Sequence, residues 1–529
     1  MSYPDSASGA MLRFPLDRCH GVESIEPCLT QLGMVRIDAP LRVESIMKDS
    51  FDWRLYRAGY MVEEYHHGAS IRTVLRNTQT GEVVADFPGA ASDFSWNFPN
   101  GPGRECMASL LKMRALLPVV RMQSRVQEVR LLNRDRKTVV RVRIEQHHAG
   151  RPGDQKSIPM DRYLCIVPVR GYDKQFRRAR DHLAAALDLK SPLQDRLYDL
   201  ALAAIGRRAM DYSSGLDIDL TADMPAHLAV RKILQHLLDT MEANEGGLIA
   251  DIDTEFLHDF RVAIRRTRTA LAQIRGVLPR QVVKRFRPEF AWLGNETTPV
   301  RDLDVYLLNF DAYQHALPAC MQDDLEPLRV FLTHKRKQAR QTLIRHLRSA
   351  RYHRLKQDWR AFLDQGLPAE ESAPVKAGIP VREVAGRNIG RLFRRALREG
   401  GAIDRGSPPE ALHELRKTCK KLRYLMEFFR RLYPRHEIAA LIGNLKQLQD
   451  NLGLFQDLAV QCATLQEMSR EMQVAGSLPA VSGRAMDVLV DELRKRQDKS
   501  RKAFAGCFEI STSAKNRRRI KRMLGRTHA

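Results

Sequence analysis

The sequence predicts a multidomain chain: an N-terminal α+β region on an antiparallel, barrel-like sheet, then an all-α region of two matching sets of about four helices. Three observations predict this. Polar and apolar residues alternate from 41 to 86 and again in the segments beginning at Arg121 and Lys137, the period of a half-buried strand. From about residue 172 apolar residues recur every three or four positions, the period of an amphipathic helix. A pattern beginning at His258 returns 155 residues later at His413, an internal repeat that fixes the helical region as two copies.

In chain order, residues 1–40 read as an irregular segment. VESIMKDSFDWRLYRAGYMVEEYHHG and SIRTVLRNTQTGEVVADF read as hairpins with turns at His67-Gly68 and Gln79-Thr80-Gly81. Phe87 to Gly103 is a loop and Ala108 to Leu117 a short helix. RMQSRVQEVRLL, KTVVRVRIEQ and RYLCIVPVR give three more strands. The sheet domain is placed at 41–180 and a helical linker at 181–222, its second helix opened by Ser191-Pro192. A first bundle covers 223–365, with helices at Ala226 to Glu245, after an Asp253-Thr254-Glu255 cap, at Gln281 to Gly294, at Asp302 to Ala316, and in one long run from Asp324 to Leu363. The Gly/Pro-containing stretch 366–380 is a linker. A second bundle covers 381–515, with helices at Val381 to Glu399, after Pro408-Pro409, and at Ile438 to Asp450, Asp457 to Gln473 and Ser482 to Phe508. Residues 516–529 read as an exposed basic tail.

The 529 residues carry a formal charge of +24, and 43 % hydrophobic composition supports packed cores. The first 200 residues hold 30 Lys and Arg against 24 Asp and Glu, so +18 of the excess lies beyond them. Anion binding is therefore expected in the helical region. Eight cysteines stand singly without CxxC spacing, which argues against a disulfide frame or a zinc site. No basic-then-apolar leader and no long apolar run occur, so a cytoplasmic protein without membrane association is expected.

On a helix, His258, Arg261, Arg265 and Arg268 share one face, while Phe260, Ile264, Thr267, Leu271 and Ile274 share the opposite one. The second copy repeats this: His413, Arg416, Lys420 and Arg423 line up with Tyr424 beside them, opposite Leu415, Cys419, Leu422, Met426 and Phe429. Two cationic rails retained in duplicate point to a polyanion, because Arg bridges phosphate oxygens with its fork and Lys adds a point charge. The candidate ligands are His258, Arg261, Arg265, Arg266, Arg268, His413, Arg416, Lys417, Lys420, Lys421, Arg423 and Tyr424, with Lys335, Arg336 and Arg340 as weaker candidates. Asp302, Asp304 and Asp457 are expected to hold rail cations by ion pairing. The pairs His66-His67 and His147-His148 lack companion carboxylates at ligand spacing and are expected at the surface.

These two helices, with Trp292-Leu293 followed by Arg301-Asp302-Leu303-Asp304-Val305 and Leu448-Gln449-Asp450-Asn451-Leu452-Gly453 followed by Asp457, resemble the CHAD (conserved histidine alpha-helical domain) family over about 223 to 515. The resemblance implies two pseudo-symmetric four-helix bundles around a basic groove for inorganic polyphosphate, and association with polyphosphate granules and their proteins. Phe51 to Tyr60 and Arg162-Tyr163 to Gly171-Tyr172-Asp173-Lys174 resemble a CYTH (triphosphate tunnel) domain. That family's N-terminal Glu-x-Glu-x-Lys strand is absent, and Met61-Val62-Glu63-Glu64-Tyr65 stands where its Leu-Arg-x-Arg strand would lie. A non-enzymatic polyphosphate binder is therefore expected, with no catalytic residues, metal or cofactor. The alternatives are a metal-dependent triphosphatase drawing on Glu63, Glu64, Asp49 and Asp52, and a nucleic-acid binder; the latter lacks a helix-turn-helix, zinc or RNP-like motif.

Overall fold

The computed structural model describes residues 11–193, 196–365, 374–404 and 406–525. The chain divides into two compact units at Ser213/Ser214.

The first unit runs β1 (Leu12–Leu16), α1 (Val22–Thr30), β2 (Met34–Ile37), β3 (Leu41–Asp49), the single turn α2 (Arg54–Arg57), β4 (Tyr60–His67), β5 (Ser70–Asn77), β6 (Val83–Pro88), α3 (Pro102–Leu111), β7 (Leu117–Leu132), β8 (Thr138–Gly150), β9 (Ile158–Pro168), α4 (Asp173–Ala186) and α5 (Leu197–Ala204). The strands form one antiparallel sheet in the order β1-β9-β8-β7-β3-β4-β5-β6, with β2 also on β7. No ladder joins β1 to β6 among the described residues, so the hydrogen-bonded path stays open.

Residues 12–37 are not irregular, as the sequence suggested. β2 pairs with the far end of β7 (Met34 with Leu132, Ile37 with Val129) and β3 continues along the same edge from Leu41 opposite Val126. β1 adds to β9, and α1 with α4 covers one sheet face through Ile25, Leu29, Ala179 and Leu183. Each segment is too short to show a period by itself. The expected linker is likewise part of the unit as far as Ser213: α5 lays Tyr198, Ala201 and Leu202 on Met47, Val120, Met122 and Ala149 of the other face.

That second face also carries charge. Arg13 pairs with Glu145, the Glu145 carboxylate meets His147 Nε2 at 3.2 Å, and His147 Nδ1 lies 2.7 Å from the Ser124 hydroxyl. Although Glu145 is fully buried, Arg13 and His147 hold its carboxyl well below the usual range. His147 is 0 % exposed, correcting the surface assignment. Strand alternation turns it inward while His148 on the same strand points the other way. His66 is half-buried against Glu64, and only His67 of the four is exposed.

The second unit runs α6 (Ala226–Ala250), α7 (Thr254–Gln273), α8 (Arg280–Glu296), α9 (Thr298–Leu308), the short α10 (Phe310–Gln314), α11 (Glu326–Leu347), α12 (Ala350–Gln365), α13 (Val381–Gly401), α14 (Pro409–Phe428), α15 (Arg435–Val474), α16 (Ala480–Ser511) and α17 (Ala514–Leu524). Asp253 caps α7, its carboxylate accepting from the Glu255 and Phe256 amides. The expected long run from Asp324 breaks at Arg348, and the Ser349 hydroxyl accepts from the Tyr352 amide to start α12.

The two copies are not identical. In the second, the predicted helices at 438–450 and 457–473 fuse into the 40-residue α15. In the first, Pro299 at the start of α9 cannot donate to the Asn295 carbonyl, and the chain breaks at Thr297 between α8 and α9. One core takes Leu303, Tyr306, Phe310 and Leu328 from the first copy and Leu458, Leu465, Met468 and Leu489 from the second. Part of the predicted 366–380 linker, 366–373, lies outside the described residues. The predicted basic tail is the helix α17, which buries Ile520, Met523 and Leu524 and pairs Arg519 and Arg522 with Glu437; residues 526–529 lie outside the described residues.

The starts of α6 and α13 show how the copies are related. The Ala226 amide donates to the Ile379 carbonyl at 2.9 Å, and the Val381 amide to the Met224 carbonyl at 2.8 Å. These four residues are mates at the 155-residue offset, so the bonds are reciprocal. Such reciprocity is what a two-fold relation produces.

Candidate anion-binding site

The apolar faces predicted for α7 and α14 are buried: Phe260, Ile264, Thr267, Leu271 and Ile274 in one, Leu415, Cys419, Leu422, Met426 and Phe429 in the other. This burial turns the rails outward and fixes their rotation. The helices cross where the mates Arg265 and Lys420 approach, with Arg265 Nε donating to the Tyr424 hydroxyl at 2.5 Å. The rails therefore converge on one surface around the pseudo-two-fold axis.

Beside the crossing, Arg261 Nη1 donates to the hydroxyls of Thr297 and Thr298 at 2.8 and 3.0 Å and to the Gly294 carbonyl at 3.3 Å. The break before α9 makes this perch available. Its mate Arg416 pairs with Asp457 at 2.9 Å, and Asp302, the mate of Asp457, acts on Arg261. Burial raises Asp302 above the usual carboxylate range against the pull of Arg261 and Arg301, with Asp457 adding to the rise.

The balance is cationic. Arg261, Arg265, Arg268, Arg301, Arg416, Lys420 and Arg423 surround the carboxylates of Asp302, Asp457 and Glu427. Burial, then Arg416, Arg265 and Arg423, push the Lys420 ammonium down to about 8, and burial with Arg265, Arg301 and Arg268 pushes Arg261 down to about 10 against Asp302. Arg268, Lys420 and Lys421 have no carboxylate at ion-pair distance among the described residues. Several buried nitrogens here, among them Arg301 Nη1, Arg416 Nε, Arg423 Nε and His413 Nδ1, have no hydrogen-bond partner among the described residues. The Arg nitrogens are donors, and buried donors are ordinarily satisfied, so these have room for a further acceptor.

Several predicted residues stand elsewhere. Tyr424 is 2 % exposed and acts as a post for Arg265, not as an open ligand. Arg266 turns to Glu427 and the Ser214 carbonyl. Lys417 pairs with Glu414 at 2.8 Å on the exposed flank of α14. His258 is half-buried on the rail face. The weaker candidates are all drawn off: Lys335 to Glu471, Arg336 to Asp251 and Asp304, and Arg340 to Asp251. Asp304 thus holds Arg336 instead of a rail cation. Arg301, which joins this cationic surface, was not singled out although it begins the Arg301-Asp302 motif, because a lone Arg gives no periodic signal.

The CHAD domain family model matches residues 232–466. The helical unit carries a CHAD domain. Both rails of this CHAD domain, at 258–268 and 413–424, lie inside the matched segment. The chain is similar to the crystal structure of the CHAD domain from the plant Ricinus communis (25 % identity, 56 % of this chain and 96 % of that one, TM-score 0.47). It is also similar to PptA from Streptomyces chartreusis (16 % identity, 54 % and 99 %, TM-score 0.44). A putative adenylate cyclase from Bacillus halodurans is a more distant likeness (9 % identity, 35 % and 93 %, TM-score 0.25). No curated protein matches the sequence.

In the sheet unit, the carboxylates considered for a metal are engaged. Glu63 accepts from the Tyr198 hydroxyl at 2.6 Å with Arg76 nearby, whereas Glu64, on the opposite face, takes Lys48, His66 and the Ala91 amide. Asp52 is held by Arg54 and Arg114. Asp49 accepts the amides of Ser50, Leu55 and Tyr56. Burial lifts its carboxyl to about 6 against those three bonds. No group of three or more His, Cys, Asp or Glu among the described residues could hold a metal ion. Carboxylates already neutralised by cations and amides do not fit a divalent ion. No helix among the described residues is long and apolar enough to cross a membrane.

Proposed function

We propose that the CHAD domain binds inorganic polyphosphate on the surface where α7 and α14 cross, without turning it over, and that this holds the protein at polyphosphate granules. The observation that carries this reading is the approach of Arg265 and Lys420 across the two-fold relation. It sums two modest rails into one field. A polymer with about one charge per phosphate gains there by releasing its condensed counterions. Its oxygens would also satisfy the orphan donors of Arg301, Arg416 and Arg423.

The test is retention on immobilised long-chain polyphosphate. The quadruple variant Arg265→Glu, Arg268→Glu, Lys420→Glu, Arg423→Glu loses retention with helicity unchanged, and the milder Arg268→Gln, Lys420→Gln pair weakens it. Unchanged retention by both would overturn the reading. Double-stranded DNA that displaces polyphosphate at equal phosphate concentration would favour a nucleic-acid binder. Magnesium-dependent phosphate release from tripolyphosphate, abolished by Glu63→Gln or Glu64→Gln, would favour a triphosphatase; the ion pairs on Glu63, Glu64 and Asp52 speak against it. A fluorescent fusion that stays off granules would remove the localisation.

A further inference from the structure

The cationic surface does not end at the rails. On the flank of α14 turned toward α13, Lys421 feels the charges of Arg395 and Lys417, with Glu414 and Glu399 acting against them. Arg395 in turn acts on Arg391, one helical turn or about 6 Å back along α13. Arg391 reaches to α7, its Nη2 lying 3.4 Å from Gln273 Oε1 and 3.5 Å from the Gln273 carbonyl, and Arg275 stands beside it. Five cations thus follow one another across α14, α13 and the turn after α7. The four Arg and Lys residues Arg275, Arg391, Arg395 and Lys417 are exposed, and Lys421 is half-buried. Two carboxylates offset them, Glu399 on Arg395 and Glu414 on Lys417. Arg275, Arg391 and Lys421 have none at ion-pair distance among the described residues.

This strip has no counterpart across the two-fold relation. The mates of Arg391 and Arg395 are His236 and Thr240, the latter buried, and the mate of Lys417 is Val262. The mate of Lys421 is Arg266, taken by Glu427, and the mate of Arg275 is Arg430, taken by Asp217. The rails are duplicated; the extension exists once.

We propose that Lys417, Lys421, Arg395, Arg391 and Arg275 form a lane that carries the outgoing part of the polyphosphate held at the rails, so that the protein selects long chains over short ones. This rests on the reading of the rails as the polyphosphate site. A short oligophosphate satisfies the crossing alone. A long chain leaves it over α13 and collects further contacts on one side only.

The test compares tripolyphosphate with long-chain polyphosphate on the full chain, by calorimetry at several salt concentrations. For the triple variant Arg275→Gln, Arg391→Gln, Arg395→Gln, tripolyphosphate affinity stays within about twofold while long-chain affinity falls by about tenfold, and the salt slope for long chains drops by about two to three. The charge-keeping variant Arg391→Lys, Arg395→Lys retains long-chain affinity, which separates lost charge from lost structure. Equal losses for both probes, no loss for the long chain, or loss in the charge-keeping variant would each overturn the lane. The rail pair Arg268→Gln, Lys420→Gln weakens both probes. If it weakens neither, the rail reading itself fails, an outcome distinct from failure of the lane alone.

Discussion

Arg265 donates its Nε hydrogen to the Tyr424 hydroxyl at 2.5 Å, joining the first rail helix to the second. The Tyr424 ring also lies under the guanidinium of Arg423 at 5.4 Å and of Arg266 at 6.0 Å. One buried aromatic therefore sets the positions of three arginines, by a charge-assisted hydrogen bond and by the negative face of its ring.

Tyr424→Phe keeps the ring and removes the hydroxyl. The expected cost is about 1 to 2 kcal/mol of stability, read by urea denaturation, together with a several-fold loss of polyphosphate affinity as Arg265 loses its anchor. Tyr424→Ala, which empties a buried site, costs about 3 to 5 kcal/mol.

Lys420 makes binding and stability depend on pH. Its folded pKa of about 8 lies below the ordinary lysine value of 10.5, so between these values the unfolded chain holds more protons than the folded one. Stability contributed by this group therefore rises with pH through that window. Bound phosphate favours the charged ammonium, so binding takes up protons above pH 8 and affinity falls as pH rises. Lys420→Arg removes this dependence, as buffer-dependent calorimetry would register.

Gly400 and Gly247 permit close helix packing. A Cβ on Gly400 would lie 2.0 Å from the Phe508 ring, and one on Gly247 would lie 2.3 Å from Phe256. Gly400→Ala and Gly247→Ala should each cost about 1 to 3 kcal/mol by overpacking. Gly443→Ala, facing open space within α15, should instead stabilise by about 0.5 to 1 kcal/mol. Thermal midpoints separate the two outcomes.

Asp49 gathers three amides at the turn after β3. Asp49→Ala leaves these donors buried without an acceptor, and a loss of about 2 to 3 kcal/mol is expected in the sheet unit. Hydrogen exchange at the Leu55 and Tyr56 amides should accelerate in the variant while α7 and α14 keep their protection.

The period of the apolar residues, Phe260 and Ile264 in one copy and Leu415 and Cys419 in the other, was enough to place both rail helices and their inward faces. Repetition at one offset was enough to pair them, and the Asp253 cap was readable as a local motif. These signals are local: backbone period, capping chemistry and recurrence all act within a few turns of chain. The association of residues 12–37 with β7 and β9 was not readable, because partners about 90 to 150 residues away supply the pairing. Nor was the burial of His147, which depends on which sheet face α5 covers.

For the site, the sequence by itself determined which side chains carry charge and on which helix face they stand. Only the tertiary structure decided which charges remain unneutralised. Arg265 and Arg266 are adjacent on α7, yet one meets Tyr424 and its cationic mate and the other meets Glu427. The single residue step that divides them, about 100° around the helix, directs them to different neighbours. Those neighbours come from the other copy, brought there by the two-fold packing of the helices.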